Sequence, residues 1–184
     1  LMIKHKAVYR GGSGEIIEKK SRFIANVKSV ETVEEAQAYI EEMRKKYWDA
    51  RHNCSAFSVG TERVITRCSD DGEPGGTAGK PILEVISGSG IHNIVVVVTR
   101  YFGGTLLGTG GLIRAYTKST QEGIKESMVI EKCLGVMLSL TCDYTTSGKI
   151  QYLTATEHIP VLDTVYTDNV TFEMIVPVEE VGSC

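Results

Sequence analysis

A glycine-rich stretch, Gly103 to Gly111, is the part of the sequence best suited to hold a ligand with its backbone. The forty residues from Gly72 to Gly111 contain eleven of the nineteen glycines. Glycine inside a regular element costs about 0.5–1 kcal/mol relative to alanine, so this concentration needs a backbone reason such as a tight turn or close approach of a ligand. An apolar strand pattern precedes the stretch and a helical pattern follows it, which predicts free amide groups at a helix N-terminus. Arg100 and Arg114 flank these amides, and we expect a site for phosphate or carboxylate there.

Two points limit that expectation. The first is an alternative interpretation, a glycine-rich packing corner without a ligand. The spacing also lacks the Gly-Lys-Ser/Thr ending of a P-loop and does not match the Rossmann fingerprint, so it is not specific for a nucleotide.

The loop from Arg67 to Pro81 is a second candidate, because it brings three carboxylates and two cations together. Its carboxylates are Asp70, Asp71 and Glu73. Paired carboxylates can act as general acid and base or hold a magnesium ion. In loops rich in glycine they more often form turns and cap helices, and that alternative stays open. The two loops and the following helix together supply the candidate residues for a ligand, a phosphate or RNA: Arg67, Asp70, Asp71, Glu73, Thr77, Lys80, Arg100, Gly103, Gly104, Gly108, Gly110, Gly111, Arg114 and Lys118.

The sequence predicts no catalytic residue, metal site or cofactor. His52 and Cys54 could share one face of a strand as a catalytic pair, but a buried structural cysteine is the more common case. The remaining histidines are isolated, and neither a nucleophile elbow nor a serine triad is present. Whether the protein is an enzyme stays open, and the pattern leans against it.

Composition indicates a globular protein of one or two small domains. The chain has 184 residues, of which 42% are hydrophobic and 23% charged, and its net charge is −3. An acidic protein is not a general trap for polyanions, although a local basic patch is compatible with this charge. Five widely spaced cysteines without a Cys-x-x-Cys pair argue against a disulfide framework and a structural zinc site. The sequence contains no signal peptide or membrane span, so we expect a cytoplasmic protein.

Hydrophobic periodicity predicts a mixed arrangement of strands and helices in the first part of the chain. The clearest helix begins at Thr32, which has capping-box spacing to Glu35. Ile94 to Val98 is β-branched without polar alternation, which predicts a central strand buried on both faces. The other predicted elements are strands at 7–10, 15–18, 22–30, 54–59 and 64–68, a short helix at 82–86 and a helix at about 112–126.

A second domain is predicted to begin at about Lys132. Its predicted order is strand (136–142), helix (about 147–157), strand (161–166) and strand (170–176). This is the first part of a ferredoxin-like β-α-β-β-α-β unit. The last helix and strand of that unit are not accounted for by the remaining residues, which end at Val181-Gly182-Ser183-Cys184.

Two long segments resemble hallmarks of the IMPACT/YigZ family. One is Asp71-Gly72-Glu73-Pro74-Gly75-Gly76-Thr77-Ala78-Gly79, and the other runs from Gly79 through Ile82-Leu83, Ile86, Ile91 and Val97-Val98 to Arg100-Tyr101-Phe102-Gly103-Gly104 and Gly108. The resemblance implies an α+β protein with a ribosomal protein S5 domain 2-like α/β domain at residues 1–131. It also implies a ferredoxin-like domain, similar to the C-terminal domain of elongation factor G, at residues 132–184 and incomplete at its C-terminus.

The same resemblance implies a role near translation. Eukaryotic IMPACT proteins regulate translation by competing for a partner in an eIF2α kinase pathway, and they carry an additional N-terminal RWD domain for which these residues leave no room. We therefore expect a cytosolic binding protein that contacts RNA, the ribosome or a translation factor, but no membrane and no specific DNA sequence. A small-molecule enzyme or binding protein that takes a phosphorylated ligand on the glycine-rich loop, and a pure protein-interaction module, are the alternatives.

Overall fold

The computed structural model describes residues 4–180, and these fall into two compact units divided between Lys132 and Cys133. The elements of the first unit are β1 (Lys4–Arg10), β2 (Ser13–Glu18), β3 (Ser21–Ser29), α1 (Val33–Lys46), β4 (His52–Val59), β5 (Ile65–Ser69), α2 (Gly79–Ser89), β6 (Ile91–His92), β7 (Ile94–Tyr101), α3 (Gly108–Lys125) and β8 (Met128–Cys133). Those of the second are β9 (Gly135–Cys142), α4 (Tyr144–Thr156), β10 (Val161–Tyr166), β11 (Val170–Pro177) and a 3₁₀ turn at Val178–Glu180.

A five-stranded antiparallel sheet forms the centre of the first unit, with strand order β2-β3-β7-β4-β5. Strand β7 lies in the middle, and Ile94 to Val98 are fully buried, as their uninterrupted apolar sequence predicts. Val95 and Val97 pack with α1 on one face. Val96 and Val98 pack with α2 and α3 on the other. Strand β7 therefore lies between α1 on one face of the sheet and α2 with α3 on the other.

Helix α1 begins as its capping pattern predicts. The Thr32 hydroxyl accepts a hydrogen bond from the Glu35 amide at 3.1 Å, and the Glu35 carboxylate accepts one from the Glu31 amide at 2.7 Å. Ala36, Tyr39 and Met43 form the buried stripe, and its other face is exposed. Burial raises the pKa of Tyr39 to about 12. This helix supports the sheet from behind.

Helix α3 begins four residues earlier than expected, at Gly108. Low helix propensity makes Gly108 to Gly111 look like loop, but the buried stripe through Leu112 and Tyr116 holds them in the first turn. The φ of Gly108 is +73°, in the left-handed region that favours glycine. The glycine-rich loop is consequently shorter than predicted, and half of it is a helix N-terminus.

A second, three-stranded sheet in the first unit was not predicted. Its order is β6-β1-β8, with β1 and β6 parallel. The strands predicted at 7–10 and 15–18 are present as β1 and β2, but they belong to different sheets. Strand β8 was not predicted, because only a domain boundary was assigned to this part of the sequence, at about Lys132.

The second unit has the predicted order of strand, helix, strand and strand. Its antiparallel sheet has the order β10-β11-β9, which is the arrangement of the first three strands in a ferredoxin-like unit. Val170, Phe172 and Met174 form its core. The expected α+β class, with two successive α/β units, is confirmed. The predicted end at 181–184 lies outside the described residues.

None of the helices within residues 4–180 has the length and apolarity needed to cross a membrane.

Two glycine-to-alanine substitutions test how closely the chain packs at the start of the glycine-rich loop. A Cβ on Gly103 would lie 2.1 Å from the carbonyl carbon of Lys20, whereas a Cβ on Gly88 in α2 would meet nothing within 4 Å. We expect Gly103→Ala to lower the free energy of unfolding by about 1–3 kcal/mol. Gly88→Ala should raise it by about 0.5–1 kcal/mol. Urea unfolding measures both, and equal effects of the two substitutions would contradict the close approach.

Candidate functional site

The two loops singled out by the sequence meet at one cavity of about 350 Å³, which we call the α3 pocket. One wall is the 72–74 segment, and the other is the end of β7 with the first turn of α3. The residues that line the pocket are Arg51, His52, Gly72, Glu73, Pro74, Arg100, Phe102, Leu106, Leu107, Gly108, Thr109 and Leu112. Glu73, Arg100 and Gly108 are the predicted site residues among them.

A buried ion pair forms one side of the α3 pocket. Arg100 Nη1 donates to Glu73 Oε1 at 2.7 Å, and the side chains are only 6% and 3% exposed. The Tyr116 hydroxyl donates to the same oxygen at 2.8 Å. The guanidinium carbon lies 5.5 Å from the Phe23 ring centre and 5.6 Å from that of Phe102. This pair ties the 72–74 loop to β7 and α3.

His52 is the second polar group facing Glu73. Its Nδ1 lies 2.8 Å from the carbonyl oxygen of Asp71, which can only accept, so Nδ1 carries the proton. Its Nε2 lies 3.7 Å from Glu73 Oε2. The sequence analysis named His52 only as a possible partner of Cys54, and the structure instead places it between the Asp71 carbonyl oxygen and the Glu73 carboxylate.

Cys54 has the environment of a structural cysteine. Its Sγ lies 3.0 Å from the carbonyl oxygen of Asp70 and 3.3 Å from the hydroxyl of Tyr116. Burial raises the pKa of the Cys54 thiol, and burial together with the neighbouring Cys54 and Glu73 raises that of Tyr116. A thiol that stays protonated is a poor nucleophile, so the environment of Cys54 favours the structural interpretation over a Cys-His catalytic pair.

Asp70 and Asp71 shape the loop from within. Asp70 accepts hydrogen bonds from the amides of Gly76, Ala78 and Gly79 at 2.8 to 3.1 Å, which caps α2. Asp71 accepts from the Asn53 amide at 2.7 Å and from Arg44 at 3.1 Å. Burial alone would raise the pKa of Asp70, but the three backbone hydrogen bonds outweigh it and lower that pKa. These two carboxylates therefore follow the turn-and-cap interpretation rather than that of an acid-base or magnesium site.

The other residues predicted from this loop lie away from the pocket. Thr77 is buried and donates to the carbonyl oxygen of Pro74 at 2.6 Å. Lys80 is exposed on α2, 4.0 Å from Glu84. Arg67 is exposed on the edge strand β5. The structure brings none of the three to the glycine-rich stretch.

The predicted glycines divide between packing and the helix start. Gly103 donates its amide to the Ser21 hydroxyl at 3.2 Å and packs on Lys20. Gly104 has a φ of +85° and an exposed surface. Gly110 and Gly111 lie in the first turn of α3, where Arg114 Nη1 would be 3.3 Å from a Cβ on Gly110. Arg114 therefore folds back over the N-terminal turn of α3.

Four exposed cations form a cationic ridge on the other side of that turn. They are Lys19 and Lys20 in the β2–β3 turn and Arg114 and Lys118 on α3. Lys19, Arg114 and Lys118 line a cavity of about 250 Å³, and Leu107 lines both this cavity and the α3 pocket. Within residues 4–180, none of the four makes an ion pair, whereas Lys125 further along α3 is 3.6 Å from Glu122.

Lys19 and Lys20 were not predicted as site residues. Both have positive φ angles, 45° and 66°, as the two central residues of a tight hairpin turn. Asparagine and glycine are the usual residues at such positions, because a longer side chain is strained there. The feature of the sequence that could have identified them is a pair of adjacent lysines between two predicted strands, which indicates a cationic turn.

Comparison with known proteins gives consistent matches to one family. The family model of the Impact N-terminal domain matches residues 19–124, and a domain of unknown function, DUF1949, matches residues 140–183. The IMPACT family member YvyE of Bacillus subtilis (strain 168) is 43% identical over 176 residues, which are 96% of this chain and 81% of that protein. The IMPACT family member YigZ of Escherichia coli (strain K12) is 43% identical over 128 residues, 68% of this chain and 63% of that protein.

A solved structure is also similar to this chain. It is a crystal structure of a hypothetical protein, with a TM-score of 0.70 and 34% sequence identity, and the match covers 100% of this chain and 90% of that one.

A double-mutant cycle tests the buried ion pair. Arg100→Met keeps the packing between Phe23 and Phe102 but leaves the Glu73 charge buried without its cation, so we expect a loss of about 3–5 kcal/mol in the free energy of unfolding. Adding Glu73→Gln removes that charge while keeping an acceptor for Tyr116, and should recover at least about 1 kcal/mol. Urea unfolding of both single variants and the double variant measures the coupling. Additive losses would contradict a coupled pair.

The cap formed by Asp70 predicts a pH-dependent loss. Because folding lowers the pKa of Asp70, its stabilisation is fully present above the unfolded value of about 3.9 and is lost as the pH falls through the folded pKa. We expect Asp70→Ala to cost about 2 kcal/mol near pH 7 and much less near pH 3, as measured by urea unfolding. The control is Asp168→Ala, at an exposed residue whose side chain makes no hydrogen bond within the described part of the chain. An Asp70→Ala loss independent of pH would contradict the assignment.

Proposed function

This chain belongs to the IMPACT family, and on that premise we propose that it is a cytoplasmic, translation-associated protein whose cationic ridge contacts RNA phosphates. The observation that carries the proposal is the group of four unpaired cations, Lys19, Lys20, Arg114 and Lys118, around the start of α3. The family relationship supports a general role in the regulation of translation. RNA, free or within the ribosome, is the partner that the chemistry of the ridge favours.

Charge distribution supports this choice of partner. The whole chain carries a net charge of −3, so it does not attract polyanions over its entire surface. Four cations that make no ion pair within residues 4–180 outnumber the single carboxylate of the same cavity, that of Glu18, so the local potential is positive. An exposed cation that already has an acidic partner must give up that pair to bind a phosphate, whereas these four need not. The ridge therefore binds a phosphate backbone without the loss of an existing ion pair.

The ridge also limits the kind of recognition. Its cavity is lined by apolar residues, by Gly111 and by one carboxylate, Glu18, besides the cations. None of these lining residues carries an aromatic ring on which a base could stack. Phosphate contacts fix position but carry little sequence information. We therefore propose binding with little sequence preference, in which the target is selected by shape and charge.

Arg100, which the sequence predicts beside a phosphate site, does not belong to the ridge, and neither does Lys125. Arg100 is buried against Glu73, and Lys125 lies near Glu122. Lys125 is on the same helix as Arg114 and Lys118, which makes it a matched control.

A salt titration of RNA binding tests this function. With a fluorescent single-stranded RNA, four phosphate contacts give a slope of about −3 in a plot of log K against log salt concentration, and each lost contact reduces it by about 0.7. We expect Arg114→Ala with Lys118→Ala to weaken binding and reduce the slope by about 1.4, while Lys125→Ala leaves both nearly unchanged. Fluorescence anisotropy measures the constants.

Two results would reject the RNA contact. One is the absence of saturable binding at low salt. The other is a slope that the Arg114→Ala/Lys118→Ala variant leaves unchanged. Capture of an acidic protein by the ridge without RNA binding would instead favour the protein-interaction alternative.

A further inference from the structure

The geometry points to the α3 pocket as a second site, which binds a small organic anion: one phosphate or carboxylate group on a planar or apolar body. The pocket is separate from the cationic ridge, and this inference goes beyond the proposed contact with RNA. It is based on the first turn of α3, on the buried side chain of Arg100 and on the apolar lining.

The first-turn amides of α3 lack the acceptors found at the other helices of the described residues. Thr32 caps α1, Asp143 accepts from the Thr146 amide of α4 at 2.7 Å, and Asp70 accepts from the first amides of α2. Helix α3 begins after Leu107, without a side-chain cap. Its first amides and the positive end of its dipole, at Gly108 and Thr109, border the α3 pocket. This is the geometry in which helices bind anions.

Arg100 gives the second, independent indication of a ligand. The residue is 5% exposed and lines the α3 pocket. Nη1 bonds to Glu73 and Nη2 lies 3.5 Å from the Ser21 hydroxyl, but Nε has no hydrogen-bond partner within the described residues. A buried donor without an acceptor is costly, particularly on a charged group. An anion in the pocket lies beside this incompletely hydrogen-bonded guanidinium and next to the helix amides.

The charge balance of the pocket fits a single anionic group. Glu73 neutralises Arg100, and Arg51 at the rim adds one further positive charge. The helix end contributes about half a charge more. A ligand with one phosphate or one carboxylate therefore leaves the pocket close to neutral.

The rest of the lining selects the body of the ligand. Pro74, Leu106, Leu107 and Leu112 are apolar, and the Arg51 guanidinium carbon lies 5.5 Å from the ring centre of Phe102. A flat or apolar group attached to the anion can pack against these side chains. A volume of about 350 Å³ is at the small end of ligand pockets, which favours a single small molecule over a polymer.

Thr109→Asp tests the site without damaging the helix. A carboxylate in the first turn interacts favourably with the helix dipole, so the melting temperature should stay the same or rise. The same carboxylate occupies the positive end of the helix and repels an incoming anion. Thr105→Asp is the matched control, because it adds the same charge at an exposed position of the same loop that does not line the pocket.

The measurement is isothermal titration of the full chain with phenyl phosphate, benzoate and phenol. We expect saturable binding of phenyl phosphate or benzoate, weaker binding of neutral phenol, and a loss of at least about tenfold in anion affinity for Thr109→Asp. Thr105→Asp should stay within about twofold of the parent protein. Lys118→Ala, which weakens the ridge, should change the anion affinity by no more than about twofold, far less than Thr109→Asp, so failure of one site is distinguishable from failure of the other.

Three results would overturn the site. They are no saturable binding of either anion at concentrations up to about 10 mM, an affinity unchanged by Thr109→Asp, and phenol binding as tight as that of phenyl phosphate.

Discussion

The buried pair of Glu73 and Arg100 is the interaction on which the arrangement of the first unit's surface depends. Two charges removed from water must be paired and hydrogen-bonded, because an isolated buried charge costs several kcal/mol. Arg100 is in the central strand β7, and Glu73 is in the loop between β5 and α2. Arg100 and Tyr116 of α3 both donate to Oε1 of Glu73. One carboxylate thus fixes three elements at once. Together with the hydrogen bond of His52 to the Asp71 carbonyl oxygen, it holds the 72–74 segment opposite the first turn of α3.

The same chemistry separates structural cations from those free to bind a partner. Arg100 and Arg114 are alike in the sequence, since both flank a glycine-rich stretch. Folding gives Arg100 a buried carboxylate partner and leaves Arg114 exposed over Gly110 without one. The carboxylates divide in a similar way, because Asp70 and Asp71 accept from backbone amides and arginine while Glu73 faces the pocket. The proposed RNA contact uses the cations that folding leaves without partners.

Much of the fold was predictable because its signals are local. The capping pattern at Thr32 and the uninterrupted apolar run of β7 each depend on residues close in sequence, and both are confirmed. The start of α3 was wrong by four residues, because packing of Leu112 and Tyr116 overrides the low helix propensity of glycine. The predicted second-unit elements also follow from local periodicity.

The candidate site was less predictable because its contacts are long-range. The loops at Glu73 and Gly108 were both identified, but their convergence depends on a contact between residues 27 apart. Burial of Arg100 runs against the usual exposure of arginine, so composition gave no reason to expect it. The proposed role of Lys19 and Lys20 depends on the position of the β2–β3 turn beside α3, which the sequence does not show. Each missed feature is a property of the tertiary arrangement.

The first turn of α3 borders both the α3 pocket and the cationic ridge, so binding at one affects the binding free energy at the other. Leu107 lines both the α3 pocket and the cavity of the cationic ridge, and Arg114 folds back over the same turn. An anion bound at the helix N-terminus reduces the positive potential that a phosphate meets at the ridge, within a distance that salt screens only partly. Coupling between two sites is reciprocal, so RNA on the ridge weakens the small anion by the same factor. A protein with both sites would therefore bind RNA less tightly as the concentration of its small anion rises, through electrostatics alone and without any change of fold.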